Sequence, residues 1–86
     1  MPYIRQEDRN KYGEILHSLK RLPEITSKGD LEFLIFLLMK KYMSTKESRY
    51  TTLHDCTYAA AHCSDEFRRR FLDKREDSAL DENGDV

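Results

Sequence analysis

The sequence has no tryptophan, and its 86 residues include only three glycines, two prolines and two cysteines. Each shortage removes a class of protein. Gly13, Gly29 and Gly84 stand alone, so no glycine-rich turn is present to cradle a phosphate or a dinucleotide. Cys56 and Cys63 are too few for a disulfide framework and suit reduced thiols. No stretch approaches the roughly 20 apolar residues of a membrane span. The segment Met1 to Glu7 lacks the long apolar core of a signal peptide, so a cytosolic location is expected. Repeats, low-complexity tracts and runs of strand-like alternation are also missing.

Charge is what the chain has most of, at 36% of residues against 38% hydrophobic, and its distribution is uneven. Residues 1–75 hold all 15 Lys and Arg with 11 acids, whereas 76–86 hold five acids and no base. A body of +4 therefore precedes a tail of -5, and the tail weakens any long-range pull of the body on nucleic acid or an anionic membrane. A chain this short buries only about 60–65% of its unfolded surface. That leaves little for an enclosed pocket, and binding at the surface or between chains is expected.

Hydrophobic spacing predicts three helices and no strands. Tyr12, Ile15, Leu16, Leu19 and Leu22 recur at helical spacing between about Gln6 and Leu22, with Pro23 ending the segment. Pro23 to Gly29 forms a connector, and Ser27 or Asp30 is placed to cap the next helix. That second helix, about Leu31 to Met43, contains the unbroken apolar run Phe33 to Met39. A helix apolar on every side must be covered on more than one side, by the other helices or by a second copy of the chain. Phe33, Phe36 and Leu37 are the candidate self-association residues, and a homodimer is expected.

Ser44-Thr45-Lys46-Glu47 has the form of a capping box and places the third helix start between Ser44 and Tyr50, with an end near Lys74. Tyr50, Leu53, Thr57, Ala60, Ser64, Phe67 and Phe71 alternate three and four apart along it, as in a heptad seam with a small-residue centre. The expected fold is all-α: a small three-helix bundle, or a helical hairpin plus a long C-terminal helix, with a single helical domain over 1–75 and an acidic tail over 76–86. The tail is expected to be flexible, although Asn83-Gly84 favours a tight turn and its acids could pair with Arg68 to Arg70.

Candidate chemistry is sparse. His54, Cys56, His62 and Cys63 lie close in sequence, but on a helix the two sulfurs stand about 10 Å apart along the axis, too far for one zinc. Neither thiol has a base and an oxyanion site aligned with it, since His62 and Cys63 diverge by about 100°. No catalytic residue, metal site or cofactor is assigned. Phe67-Arg68-Arg69-Arg70-Phe71 is a basic run between aromatics, in which Phe67 and Phe71 are expected to face the core while the arginines fan outward at a helix end. Arg68, Arg69, Arg70 and Lys74 are the candidate partner-binding residues.

Four segments in order carry a resemblance: Met1-Pro2-Tyr3-Ile4 with Gln6-Glu7-Asp8-Arg9, Gly29-Asp30-Leu31-Glu32-Phe33, Glu66-Phe67-Arg68-Arg69-Arg70, and Glu82-Asn83-Gly84-Asp85-Val86. Together they resemble a family of small proteins of tailed phages and prophages. The segment Cys56 to Cys63 and the arginine at position 68 depart from that pattern. The resemblance implies phage origin and action in the cytoplasm of a bacterial host, and supplies no catalytic residue. The expected function is a non-catalytic interaction protein that binds and modulates a host or phage protein. The alternative is a nucleic-acid-binding accessory factor using the Arg68 to Arg70 run.

Overall fold

The computed structural model describes residues 2–86, so Met1 of the N-terminal motif lies outside it. Among the described residues every regular element is helical. The protein is all-α, as its hydrophobic spacing predicts. In chain order the elements are α1 (Gln6–Arg9), a 3₁₀ turn (Asn10–Tyr12), α2 (Gly13–Leu19), α3 (Lys28–Met43), α4 (Tyr50–Phe67), a π-helical turn (Arg68–Leu72) and α5 (Asp73–Asn83).

The first helical segment is not the single helix expected over 6–22. It loosens into a 3₁₀ turn just before Gly13, where Tyr12 leaves helical geometry at φ -105°, ψ 16°. Glycine is the poorest helix former after proline, and a seven-residue helix has little cooperativity to resist it. The second segment forms as its caps dictate. Ser27 is the N-cap of α3, and its hydroxyl accepts the amide of Asp30 at 3.0 Å.

The Ser44 to Glu47 box is not used to start a helix. Ser44 instead closes α3, its hydroxyl donating to the Lys41 carbonyl at 2.7 Å. α4 starts at Tyr50, where Thr52 Oγ1 accepts the Arg49 amide at 3.2 Å and lies 2.6 Å from the Glu47 carbonyl. Thr52 therefore does locally what the earlier serine was expected to do.

α3 and α4 pack as an antiparallel hairpin. The least exposed residues of α4 along that contact are Thr52, Cys56 and Ala60, four apart, and those of α3 include Met39 and Met43. Cys56 is buried with Sγ 3.6 Å from the Met39 carbonyl. Short side chains on α4 let the backbones approach, and flexible methionines fill the gap. The heptad seam expected one residue further round keeps only Ala60 in this interface. Tyr50 at one end of it, and Phe67 and Phe71 at the other, are exposed.

From α4 the chain continues without a break. The expected end near Lys74 is not observed: the π turn passes directly into α5, and the acidic segment is helical to Asn83. Ser78 Oγ donates to the Lys74 carbonyl at 3.0 Å, and the amide of Gly84 caps the Leu80 carbonyl at 2.8 Å. Gly84 sits at φ +84°, a conformation that ends a helix and that glycine alone adopts without strain. Residues 50–83 thus make one rod of about 50 Å at the α-helical rise, which matches the longest dimension of the molecule, 50 Å.

Closure around a core is what the fold lacks. Its radius of gyration is 16.7 Å, against about 12 Å for a compact domain of this length. Only Cys56 and Glu66 are buried among the described residues.

Candidate functional site

The basic run lies at the π turn rather than at a helix end. The amide of Asp73 bonds the carbonyl of Arg68, five residues back, which is the π pattern. One extra residue per turn rotates everything beyond by roughly 100° relative to a straight helix. The turn therefore sets the direction in which Arg68, Arg69, Arg70 and the following Lys74 present themselves.

The sequence places these four residues together, and the structure separates them by partner. Arg69 pairs with Glu66, three residues before it. Arg70 donates from Nη1 to the hydroxyl of Tyr3 at 2.9 Å, a contact across 67 residues, and its guanidinium stands 5.2 Å from the Phe71 ring centre. Arg68 and Lys74 form no ion pair among the described residues. The acid that meets the arginine run is thus Glu66 and not the C-terminal acids.

Glu66 is the centre of this cluster. It is only 8% exposed, one of its carboxylate oxygens takes the Arg69 hydrogen bond, and Oε2 has no partner among the described residues. The Arg69 hydrogen bond holds its carboxyl below the usual carboxylate range, against the opposing effect of burial, with Arg69 and Arg70 charges and the Tyr3 hydroxyl adding to the lowering. A buried acid at this position leaves no trace in the hydrophobic pattern. The link to Tyr3, 63 positions away, leaves none either.

Phe67 and Phe71 do not face a core. Their rings pack on each other at 4.7 Å and 45°, and both remain exposed. A second aromatic series runs along α4, where Tyr50, His54, Tyr58 and His62 follow one another every fourth residue with ring centres 5.3, 4.1 and 5.9 Å apart. The four-residue spacing was visible in the sequence as the signal for this ladder. It occupies both histidines considered as metal ligands.

Cys56 is buried in the hairpin and Cys63 is exposed, so the thiols do not converge. Among the described residues no three His, Cys, Asp or Glu side chains gather around one point. The clefts are shallow: one lies between the connector residues Leu22, Pro23 and Ile25 and the start of α3 at Phe33 and Leu34.

Phe33, Phe36 and Leu37 lie on α3 with 63%, 60% and 45% of their surfaces exposed. α4 covers one side of the apolar run, and the N-terminal segment does not cover the other. Tyr12, Ile15, Leu16, Leu19 and Leu22 of that segment are open as well. The molecule carries two apolar faces on separate elements, neither of which closes the other.

These features define a small all-α protein with an open apolar surface and a braced basic turn. The chain belongs to a family of unknown function: the model of the domain of unknown function DUF6899 matches residues 1–86. No curated protein and no solved structure matches it.

Proposed function

We propose that this chain is a non-catalytic interaction protein that binds another protein and alters its activity. The observation that carries the reading is exposure. Its accessible surface is 8213 Å², whereas a compact monomer of this mass exposes about 5,400 Å². An excess of this size, with large apolar side chains such as Phe33, Phe36 and Leu38 in it and charged side chains beside them, supports a surface that a partner covers. The clefts are too open to enclose a small substrate.

Arg68 and Lys74 offer free positive charge at the π turn, while Arg69 and Arg70 are spent on holding Glu66 and Tyr3. The partner contact at this turn thus rests first on Arg68 and Lys74. The resemblance of the terminal segments to phage proteins supports a phage origin and a partner in the cytoplasm of the bacterial host, of host or phage make.

Affinity capture from host lysate, comparing wild type with the Arg68→Ala, Lys74→Ala double variant, tests this. A protein retained by the wild type and lost by the variant is the expected result. Retention of nucleic acid instead, with an affinity whose logarithm falls by nearly one unit per phosphate contact against the logarithm of salt, would make the chain a nucleic-acid-binding factor.

A further inference from the structure

We propose that the open face of α3 is covered by the N-terminal segment of a second copy of this chain, in a two-fold dimer. The inference rests on the reading above that the exposed apolar surface is there to be covered, and it names what covers it. Ile15, Leu16 and Leu19 of one copy lie against Phe33, Phe36 and Leu37 of the other, and the reverse contact is made at the same time.

The area decides the kind of occupant. Each chain exposes roughly 2,800 Å² more than a compact monomer of its mass. Obligate dimers bury about 2,000–5,000 Å² in total, counting both partners. Two chains together carry an excess of roughly 5,600 Å², comparable with the upper end of what such dimers bury, and each chain supplies the stripe that the other lacks, as an isologous interface requires.

Closure within one chain is opposed by how the N-terminal segment is held. Tyr3 is tied to Arg70 beyond the end of α4, and Leu22, Pro23 and Ile25 face Phe33 and Leu34 across a cleft near the start of α3. In an antiparallel hairpin these two anchor points are at the same end. The stripe between them, at Ile15, Leu16 and Leu19, stays open. A two-fold partner brings its own α3 face to the stripe without undoing either anchor.

The test is cross-linking in an isotopic mixture. Chains carrying the photoreactive p-benzoylphenylalanine at position 36 are mixed with ¹⁵N-labelled wild type and irradiated at micromolar concentration. The expected product joins an unlabelled chain to a labelled one within residues 12–22. Products confined to a single chain, interchain products at other elements, or no product would each overturn the proposal. Leu16→Asp supplies a second readout: with helical circular dichroism retained, it should raise the dimer dissociation constant more than about 30-fold, and an unchanged constant also overturns the assignment. A monomer that still captures its partner protein would refute the dimer alone, whereas a dimer that captures nothing would refute the proposed function alone.

Discussion

Among the described residues, Glu66 and Cys56 are the two side chains that the fold takes out of water, and each is taken out for a different reason. Glu66 braces the π turn through Arg69, beside the Arg70–Tyr3 contact that ties in the N-terminal segment. Because its folded pKa is lowered, the contribution is present at neutral pH, where the carboxylate is charged in both states. It is lost as pH falls from the ordinary value of 4.5 through the folded value. Glu66→Gln should therefore lower the urea midpoint at pH 7 and shrink the difference in midpoint between pH 7 and pH 3. An unchanged pH dependence would show that the cluster contributes nothing to folding. Cys56 fills the hairpin contact, so Cys56→Ser should cost about 1–2 kcal/mol and Cys63→Ser less than about 0.5 kcal/mol. Thiol titration of the native protein should find Cys63 at once and Cys56 only on unfolding.

At the scale of elements, two glycines make opposite predictions. Gly13 has helical dihedrals and nothing within 4 Å of where a Cβ would stand. Gly13→Ala should stabilise the protein by about 0.5–1 kcal/mol and extend α2 back through the 3₁₀ turn. Gly84 stands at positive φ, so Gly84→Ala should fray the end of α5 and cost about 1 kcal/mol. Truncation after Arg75 should remove helical circular dichroism, since 76–83 are part of the rod. A spectrum that loses no helical signal would restore the flexible tail.

These elements also divide what was legible in the sequence from what was not. Helix positions followed from three- and four-residue spacing and from Ser27, because both act within a few residues. The start of α4 at Tyr50 lies within the expected range Ser44 to Tyr50, but Thr52 rather than Ser44 serves it because Ser44 has two possible backbone partners, and the acidic segment is helical because Ala79, Leu80 and Gly84 supply a helical interior and its stop. The π turn has no compositional signature in Arg68 to Leu72. The Glu66–Arg69–Arg70–Tyr3 cluster was half legible: the arginines stood out as a run, but Tyr3 is joined to them only by the fold. Phe33, Phe36 and Leu37 are readable as apolar surface needing cover because they sit in the run Phe33 to Met39, which is apolar on every side and which the structure leaves largely exposed.

On the scale of the whole molecule the protein is 50 Å long, with α3 packed against α4 and the apolar side chains of the N-terminal segment left exposed. Such a shape leaves apolar side chains in water at a cost of about 25 cal/mol per Å². Covering them would favour association: as proposed above, a second copy meets the faces of α2 and α3, and a partner protein meets the chain at Arg68 and Lys74. The most direct measurement is the mass of the isolated protein in solution, by sedimentation equilibrium at micromolar concentration and physiological salt. The account predicts twice the chain mass of 10.3 kDa, falling to a single chain for Phe36→Asp. A wild-type monomer of 10.3 kDa with its helices intact would contradict it.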